Sequence, residues 1–355
     1  MDKKLKIAVI GCGSISGCHL DAYSKNPNVE IYALCDINEK NLHRRAEEYH
    51  VTRLYTDKDK MLAELPEIDA VSVCTWNAAH AECSIAALNA GKNVLCEKPM
   101  AMNAAQAREM EQAAKETGKL LQVGFVRRFG RDAEAVRRLA DSGDLGDVYY
   151  VKANYLRRSG GPGGWFEDKA YAGGGPLIDL GVHMIDLAKY LAGNPKPVSV
   201  MGATFEGMDG HRALDGKAVW HAEKNVSKYK RDVEDLATAM IRFDNGMVMI
   251  AEASYTLNLL KPSCYVELYG TKAGVRLDDS MEYCTTQAGM YVDVKPTVDA
   301  SFDFGGAFRA EVRGFIDAVK GDAPCRATAQ DGVQLMQILD AVYESARTGK
   351  QVMIG

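Results

Sequence analysis

The first third of the chain alternates short apolar runs with longer amphipathic stretches. Five runs have the length and composition of buried strands: Leu5–Ile10, Val29–Cys35, Ala70–Cys74, Asn93–Cys96 and Leu120–Val123. Four stretches between them have helical periodicity, at about 14–25, 38–50, 78–90 and 103–117. Such alternation predicts an α/β domain over residues 1–124, built on a doubly wound parallel sheet.

Residues 125–355 are richer in strand patterns. Asp147–Tyr155 alternates, and Asp235–Phe243 and Met247–Tyr255 flank Asp244-Asn245-Gly246, a strong hairpin signal. Shorter strands are expected at Pro262–Tyr269, Val275–Asp278, Tyr283–Thr286 and Met290–Val294. We therefore expect a second, α+β domain with a large, mostly antiparallel open sheet.

Three further helices are expected in this second part. One opens at Gly173–Pro176 and runs to about Leu191, where it covers one face of the sheet. Two more close the chain, at about 308–320 and 329–348. Met247 and Met249 alternate on a strand, which indicates core or interface rather than a ligand site.

The composition is that of an ordinary globular protein. The chain has 355 residues, 47% hydrophobic and 26% charged, and this length suits two domains. A formal net charge of −5 gives no electrostatic reason to expect nucleic acid or an anionic membrane. No apolar run approaches the roughly 18 residues of a membrane span. Nine cysteines without a C-x-x-C pair indicate reduced thiols in a cytoplasmic protein, not disulfides or zinc ligands.

A glycine-rich turn joins the first strand to the first helix. Gly11 permits a tight turn, and Gly13 lets the backbone approach a pyrophosphate that the helix N-terminus then holds. Ser16 stands where the dinucleotide fingerprint has its third glycine, with Gly17 beside it. The alternative is a tight turn without a ligand.

Asp36 ends the second strand and is a candidate for the adenosine ribose. A carboxylate there accepts ribose hydrogen bonds and repels a 2′-phosphate, which favours NAD, with NADP possible. Ile37 follows it, and Arg44 and Arg45 lie a helical turn or more away. Asp36 or Asn38 could also cap the next helix.

Two polar motifs follow later strands. Thr75 and Asn77 are expected along the nucleotide cleft, and Asn77 is also expected to cap the helix from Ala78. His80 lies on that helix, where the alternative is an ordinary helix-face histidine. Glu97-Lys98-Pro99 ends another strand, where ligands bind in open α/β sheets. An ammonium there can hold a hydroxyl and stabilise developing negative charge.

The second part carries two more candidate regions. A glycine-rich loop contains Arg157 and Trp165, which suit a sugar's hydroxyls and apolar face; the alternative is a solvated loop that Trp165 anchors. Asp179 and His183 are four positions apart and are expected to share a helix face as an acid–base unit. With Asp186 they could form a metal site, but neither a cysteine nor a second histidine joins them, and we expect no metal.

These motifs together resemble one family. They are Gly-x-Gly-x-x-Ser-x-x-His at 11–19, Cys74-Thr75-x-Asn77-x-x-His80, Glu97-Lys98-Pro99, Gly173-Gly174-Gly175 with Asp179-x-x-x-His183, and the tail from Phe308-Arg309 to Ala341–Ser345. The ordered set is similar to the glucose–fructose oxidoreductase, inositol dehydrogenase and MocA family over essentially the whole chain. Trp76 departs from it, since the family usually has proline there.

The resemblance implies an NAD(P)-dependent dehydrogenase that oxidises a secondary hydroxyl of a sugar, sugar derivative or cyclitol. It implies Lys98, Asp179 and His183 as catalytic residues, with Arg157 and Trp165 joining them at the substrate. The cofactor-binding residues it implies are Gly11, Gly13, Ser14, Ile15, Asp36, Ile37, Cys74, Thr75, Asn77, His80, Glu97 and Lys98. It implies no metal.

Two other functions stay open on the sequence. Some relatives are redox-neutral enzymes that keep NAD bound while they process a glycoside, and others are regulators that sense a nucleotide or sugar without turnover. The regulators lose catalytic residues, whereas Lys98, Asp179 and His183 are all present here. The open sheet also predicts self-association as a homodimer or homotetramer. The sequence does not identify the polyol.

Overall fold

The computed structural model describes residues 4–207, 229–278, 280–297 and 299–355. The chain forms two compact units. One contains the residues up to Val126 together with Phe304–Val333, and the other contains Arg127–Asp303 together with Gln334–Gly355. The first junction lies close to the expected boundary at 124/125, and the chain then returns to the first unit near its end. The prediction of a single domain boundary therefore omits the return of the chain to the first unit.

The first unit is built on a six-stranded sheet. Its strands are Leu5–Ile10 (β1), Val29–Cys35 (β2), Leu54–Tyr55 (β3), Ala70–Val73 (β4), Asn93–Glu97 (β5) and Leu121–Gly124 (β6). The strand order is β3-β2-β1-β4-β5-β6, and every pair is parallel. This confirms the doubly wound parallel sheet, whose order reverses between β1 and β4 and so leaves a crevice at their carboxyl ends.

Helices connect these strands. They are Ser16–Ser24 (α1), Glu39–Tyr49 (α2), Lys58–Glu64 (α3), Asn77–Asn89 (α4) and Ala104–Thr117 (α5). The Asn38 side chain accepts hydrogen bonds from the backbone N–H groups of Lys40 and Asn41, so Asn38 rather than Asp36 caps α2. No side chain among the described residues caps α4, which begins at Asn77 after Trp76. The prediction that Asn77 caps that helix is therefore wrong, because Asn77 is its first residue.

The second unit is built on a nine-stranded sheet. Its strands are Val148–Leu156 (β7), Pro197–Phe205 (β8), Leu236–Phe243 (β9), Val248–Ser254 (β10), Ser263–Gly270 (β11), Ala273–Leu277 (β12), Met281–Gln287 (β13), Met290–Val294 (β14) and Val352–Met353 (β15). The order is β14-β13-β12-β11-β7-β10-β9-β8-β15. β7 and β10 pair in parallel and the other neighbours are antiparallel, which confirms a mostly antiparallel sheet.

Alternation along these strands separates two faces. On β9, Ala239 and Ile241 are buried while Met240 is 38% exposed. Met247 and Met249 are almost wholly buried, so they are core residues. The predicted hairpin between β9 and β10 is confirmed, and Gly246 supplies its positive φ of 85°.

Helices of the second unit lie between its strands. They are Arg131–Asp141 (α6), Lys169–Ala172 (α7) and Val182–Leu191 (α8), and α8 packs against β7 and β11. The expected helix from Pro176 to Leu191 is not uniform, since Leu177–Gly181 forms a π-helical turn before α8. Asp179 thus lies in a wider turn, whereas the expectation that it shares a face with His183 assumed regular α-helical geometry.

Two helices close the chain, Phe304–Lys320 (α9) and Ala329–Thr348 (α10). α9 packs in the first unit, where Val312, Phe315 and Ile316 join one core cluster with Ile7 and Tyr23. All five side chains are at most 1% exposed. Burial of this much apolar surface explains why the chain returns to the first unit after building the second.

Candidate active site

The glycine-rich turn after β1 is constrained by its neighbours. Gly11 has a φ of 94°, and a Cβ there would lie 2.6 Å from the backbone carbonyl of Cys74 at the end of β4. A larger residue would therefore force β1 and β4 apart. A Cβ on Gly13 would meet no protein atom within 4 Å, so this backbone faces open space. Such a surface allows the close approach of a phosphate.

The start of α1 fits the pyrophosphate of a dinucleotide. Its N-cap residue, Ile15, makes no side-chain capping hydrogen bond, and the dipole at this helix end favours an anion. Ser16 is buried, and its Oγ donates to the Gly13 carbonyl over 2.7 Å, which fixes the turn. Arg45 Nη2 donates to the carbonyls of Gly13 and Ser14 at 3.0 and 3.2 Å. Arg45 lies on α2, and its spacing in the sequence does not predict that its side chain contacts this turn.

Asp36 lies beside the same turn. Its Oδ2 accepts the backbone N–H of Cys12 over 2.5 Å, and its Oδ1 accepts that of Asn38 over 2.7 Å. The carboxylate therefore joins the glycine-rich turn to the start of α2. Ile37, next in the chain, is 72% exposed.

His80 connects the loop after β4 to the loop after β5. The imidazole is buried, and its Nδ1 and Nε2 lie 2.7 Å from the Pro99 carbonyl oxygen and 3.1 Å from the Thr75 carbonyl oxygen. Burial lowers the pKa of His80, although its two carbonyl partners favour the protonated ring. These contacts stabilise the backbone of both motifs, so His80 is a buried, hydrogen-bonded residue rather than an exposed histidine on the helix face. Asn77 is also buried.

Glu97 lies at the centre of a buried hydrogen-bond chain. Its Oε1 accepts from His19 Nε2 over 2.7 Å, and its Oε2 accepts the backbone N–H of Lys98 over 3.1 Å. His19 Nδ1 lies 3.2 Å from Ser72 Oγ, and Tyr23 Oη lies 2.7 Å from the same oxygen. Burial raises the pKa of Glu97, but the His19 hydrogen bond and the charges of His19, Lys98 and His80 together outweigh burial and lower it.

This chain of contacts holds the backbone of Lys98 while its side chain is half-buried. Pro99 follows through a cis peptide bond. The sequence predicted that Glu97 binds the cofactor. His19 stood in the glycine-rich motif without a role, and Ser72 and Tyr23 were not among the candidates. Glu97 contacts His19 and the Lys98 backbone inside the first unit.

In the second unit, Arg157 and Trp165 lie at the two ends of the glycine-rich loop. Arg157 donates from Nη2 to Tyr155 Oη over 3.2 Å and from Nη1 to the Gly160 carbonyl over 3.1 Å. The Trp165 ring stacks on Phe166 with centroids 3.8 Å apart and is half-buried. Both loop ends are therefore ordered by protein contacts, and Trp165 still presents part of its ring to solvent.

Asp179 is 8% exposed and accepts a hydrogen bond from Tyr255 Oη to Oδ2 over 3.0 Å. Burial and the neighbouring Asp179 carboxylate raise the pKa of Tyr255 well above its usual value. The phenol therefore keeps its proton and remains a donor over the working pH range. Burial lowers the pKa of Arg157, but Tyr155 and Asp179 outweigh burial and raise it. Sequence analysis did not include Tyr255, and His183 is half-buried four positions beyond Asp179.

Asp186 is committed to a different partner. Arg128 donates to it through both Nε and Nη2, at 2.9 and 2.6 Å, and both side chains are almost wholly buried. Each partner of such a bidentate pair compensates the other's buried charge. Among the described residues, no group of three or more His, Cys, Asp or Glu side chains is placed to hold a metal ion.

Comparison with known proteins identifies the family. A model described as "Oxidoreductase family, NAD-binding Rossmann fold" matches residues 5–125, and its partner, "Oxidoreductase family, C-terminal alpha/beta domain", matches residues 137–354. These are the GFO_IDH_MocA models, so the resemblance noted in the sequence is confirmed. The chain belongs to this oxidoreductase family.

Individual relatives match over nearly their whole length. The chain is 34% identical over 351 residues to D-glucoside 3-dehydrogenase of Escherichia coli, covering 98% of this chain and 97% of that protein. It is 25% identical over 357 residues to myo-inositol 2-dehydrogenase of Thermotoga maritima, with 99% and 98% covered. The crystal structure of GenD2 from gentamicin A biosynthesis, in complex with NAD, superposes with a TM-score of 0.79 at 27% identity, covering 100% of this chain and 97% of that one.

The fold, the unobstructed glycine-rich turn and the family agree on one class of protein. The chain is an NAD(P)-dependent oxidoreductase that acts on CH–OH groups. No helix of the described residues combines the length and apolar character needed to cross a membrane.

Proposed function

We propose that the protein is a dehydrogenase that oxidises a secondary hydroxyl of a sugar, glycoside or cyclitol with NAD. The D-glucoside and myo-inositol activities named for its relatives support this substrate class. The observation that carries the proposal is the buried Asp179 carboxylate, held by Tyr255 and followed four positions later by His183. A carboxylate and an imidazole are groups that can together remove a hydroxyl proton.

NAD would be held by the first unit. Gly11, Gly13, Ser14 and Ile15 would face the pyrophosphate at the start of α1, and Asp36 would accept from the adenosine ribose. The loop residues Cys74, Thr75 and Asn77 would line the rest of the cleft, while His80 and Glu97 would act through the backbones they bind. Bound NAD supplies the acceptor for the substrate's hydride.

Lys98 would bind the reacting hydroxyl oxygen. Its ammonium stabilises the negative charge that develops on this oxygen as the proton leaves. The backbone hydrogen bond to Glu97 fixes where the Lys98 side chain starts, and His19 holds that carboxylate in turn. The buried chain from Tyr23 to Glu97 therefore preorganises one cationic group.

His183 would be the general base. Its neutral imidazole accepts the hydroxyl proton while the hydride leaves the same carbon. Asp179 orients the ring and favours the imidazolium that forms, and the Tyr255 hydroxyl keeps Asp179 in one rotamer. The proton thus ends on His183, and the substrate becomes a ketone.

Arg157 and Trp165 would bind the rest of the polyol. The raised pKa of Arg157 keeps its guanidinium charged, and this group can donate to ring hydroxyls. The half-buried Trp165 ring can pack on an apolar sugar face. We assign both residues to substrate specificity.

NAD is preferred over NADP in this proposal. Asp36 would repel a 2′-phosphate, and Ile37 offers no positive charge beside it. Arg44 and Arg45 donate to the carbonyls of Cys12, Gly13 and Ser14. These backbone contacts compete with any role in binding a phosphate.

We further propose a cytoplasmic homodimer or homotetramer. Met201 and Met240 are 43% and 38% exposed on the open face of the nine-stranded sheet, and a second copy would cover them. All nine cysteines are thiols rather than half-cystines, which suits a reducing compartment.

The test is a spectrophotometric screen for NADH. Purified protein would be incubated with NAD and a panel of D-glucosides, aldoses and inositols. The proposal expects free NADH to accumulate in proportion to substrate oxidised. Consumption of a glycoside without free NADH would instead support the redox-neutral alternative. NAD binding without turnover of any polyol would support a sensing role.

A further inference from the structure

We infer that Glu234 is a positioning residue that fixes the turn carrying Asp179 and His183. Glu234 lies just before β9 and is 4% exposed. Its Oε2 accepts the backbone N–H of Gly175 over 2.9 Å, and its Oε1 accepts that of Leu177 over 3.1 Å. The inference rests on the proposed function, because it assigns Glu234 an effect on that site.

Both residues whose N–H groups donate to Glu234 also bind the catalytic turn through their carbonyl groups. The Gly175 carbonyl accepts the backbone N–H of Asp179 over 3.1 Å. The Leu177 carbonyl accepts that of Val182, the residue before His183. A displacement of Gly175 or Leu177 would therefore pass directly to Asp179 and His183.

The glycines of this turn pack closely against Glu234 and Tyr343. A Cβ on Gly175 would collide with the Glu234 backbone carbonyl oxygen, and a Cβ on Gly174 would collide with the Tyr343 hydroxyl. Neither glycine has a positive φ, so close packing rather than backbone conformation requires glycine here. Glu234 can reach two successive donors only because these side chains are absent.

Tyr343 of α10 completes the arrangement. Its hydroxyl donates to Glu234 Oε1 over 3.0 Å, so one carboxylate accepts three hydrogen bonds from two elements. Burial raises the pKa of Glu234, against the effect of these donors. The Tyr255 backbone N–H donates to the Asp235 carbonyl over 2.9 Å, so Tyr255 is tied to the residue after Glu234. Tyr255 and the turn that carries Asp179 are therefore both held by the segment that contains Glu234 and Asp235.

The test compares Glu234→Gln with the wild-type enzyme. Glutamine keeps the shape but has one acceptor oxygen, so its amide NH₂ must face the backbone N–H of either Gly175 or Leu177. Hydrogen exchange of the peptide containing Gly175 and Leu177 should accelerate, because one of these N–H groups loses its acceptor. With a confirmed substrate, kcat should fall by about tenfold to a hundredfold, since small misplacement of catalytic groups is costly. The Kd for NAD should stay unchanged.

Two controls and a second variant accompany it. Glu282→Gln removes an exposed carboxylate paired with Lys295 in the same unit, and it should alter neither exchange nor kcat. Tyr343→Phe leaves both backbone bonds to Glu234 and should lower kcat by about threefold to tenfold, as expected for one hydrogen bond. Tyr291→Phe, at a 91% exposed site, is its matched control.

The outcomes separate the inference from the proposed function. Faster exchange with reduced kcat and unchanged NAD affinity supports positioning by Glu234. Unchanged exchange, or faster exchange with wild-type kcat, overturns it. If no polyol is oxidised even by the wild type, the proposed function fails while the exchange experiment still decides whether Glu234 fixes the turn. If Glu234→Gln does not fold, a wild-type kcat in Tyr343→Phe overturns the inference.

Discussion

Replacing Tyr255 with phenylalanine removes the hydroxyl group that donates a hydrogen bond to Asp179. Tyr255 is 1% exposed, and its hydroxyl donates to Asp179 Oδ2 over 3.0 Å. Asp179 is itself 8% exposed, so water has little access to take over the lost bond. Phenylalanine keeps the ring packing against Leu180 and Ala253. The substitution therefore isolates the hydrogen bond.

The expected magnitude follows from the nature of that bond. A hydrogen bond to a charged group contributes about 1.5–3 kcal/mol, and here it cannot be replaced by solvent. If this whole free energy serves to keep Asp179 in position to act on His183, its loss lowers kcat by about tenfold to a hundredfold. The free energy of unfolding should fall by about 1.5–3 kcal/mol, because a buried carboxylate has lost a donor.

The assay combines steady-state kinetics with urea unfolding. NAD affinity should be unchanged, since the substitution lies outside the nucleotide-binding unit. Tyr291→Phe serves as control because that tyrosine is 91% exposed. A variant with wild-type kcat and reduced stability would refute the reasoning, since Tyr255 would then support the fold but not catalysis.

Three further variants test separate parts of the account. Asp36→Ser combined with Ile37→Arg should shift the ratio of kcat/KM toward NADP, because it replaces a repulsive charge with an attractive one; a wild type that already binds NADP as tightly as NAD would contradict this. Lys98→Met should leave the Kd for NAD unchanged and lower kcat by about 10²–10⁴-fold, and a variant with most of its kcat would exclude Lys98 from the mechanism. Burial raises the pKa of Glu97, but its partners, His19 first among them, lower it overall. The stability that the Glu97–His19 pair contributes is therefore complete above about pH 4.3 and is lost as the pH falls through the lowered pKa. Glu97→Gln should therefore flatten the acid side of a urea-unfolding profile, and a profile that keeps the wild-type slope would mean that other carboxylates cause it.

Much of the fold could be predicted because apolar runs marked it. β1 and β2 begin and end at the predicted residues, since both are buried central strands with polar or turn residues at each end. α10 also matches its prediction over 329–348. In these segments local pattern and tertiary burial agree.

Two of the elements missing from the sequence predictions depend on distant partners. β3 and β15 have two residues each, and they are strands only because they pair with β2 and β8. The return of α9 to the first unit depends on contacts with β1 and α1, about three hundred positions earlier. No local pattern contains such information.

The candidate site divides in the same way. Gly11, Asp36, Lys98, Asp179 and His183 stand in motifs, so spacing and strand ends made them candidates. Tyr255 and Glu234 are missing from that set because their bonds span 76 and 59 positions along the chain. His19 stands in the glycine-rich motif, but its role depends on a bond to Glu97, 78 positions away. For Tyr255 and Glu234 the local sign is a polar residue beside a strand, and this sign is common.

The most direct test of the central claim is the pH dependence of NADH formation by the wild type and by His183→Asn. His183 must be neutral to accept the hydroxyl proton, and an unperturbed imidazole has a pKa of about 6.5. In the oxidative direction, wild-type kcat/KM should rise with pH through one ionisation of the coupled Asp179–His183 group and then level off. His183→Asn should bind NAD normally, lose most of its activity and lack this rise. A variant that keeps the wild-type rise would mean that another group removes the proton, and the account of the active site would be wrong.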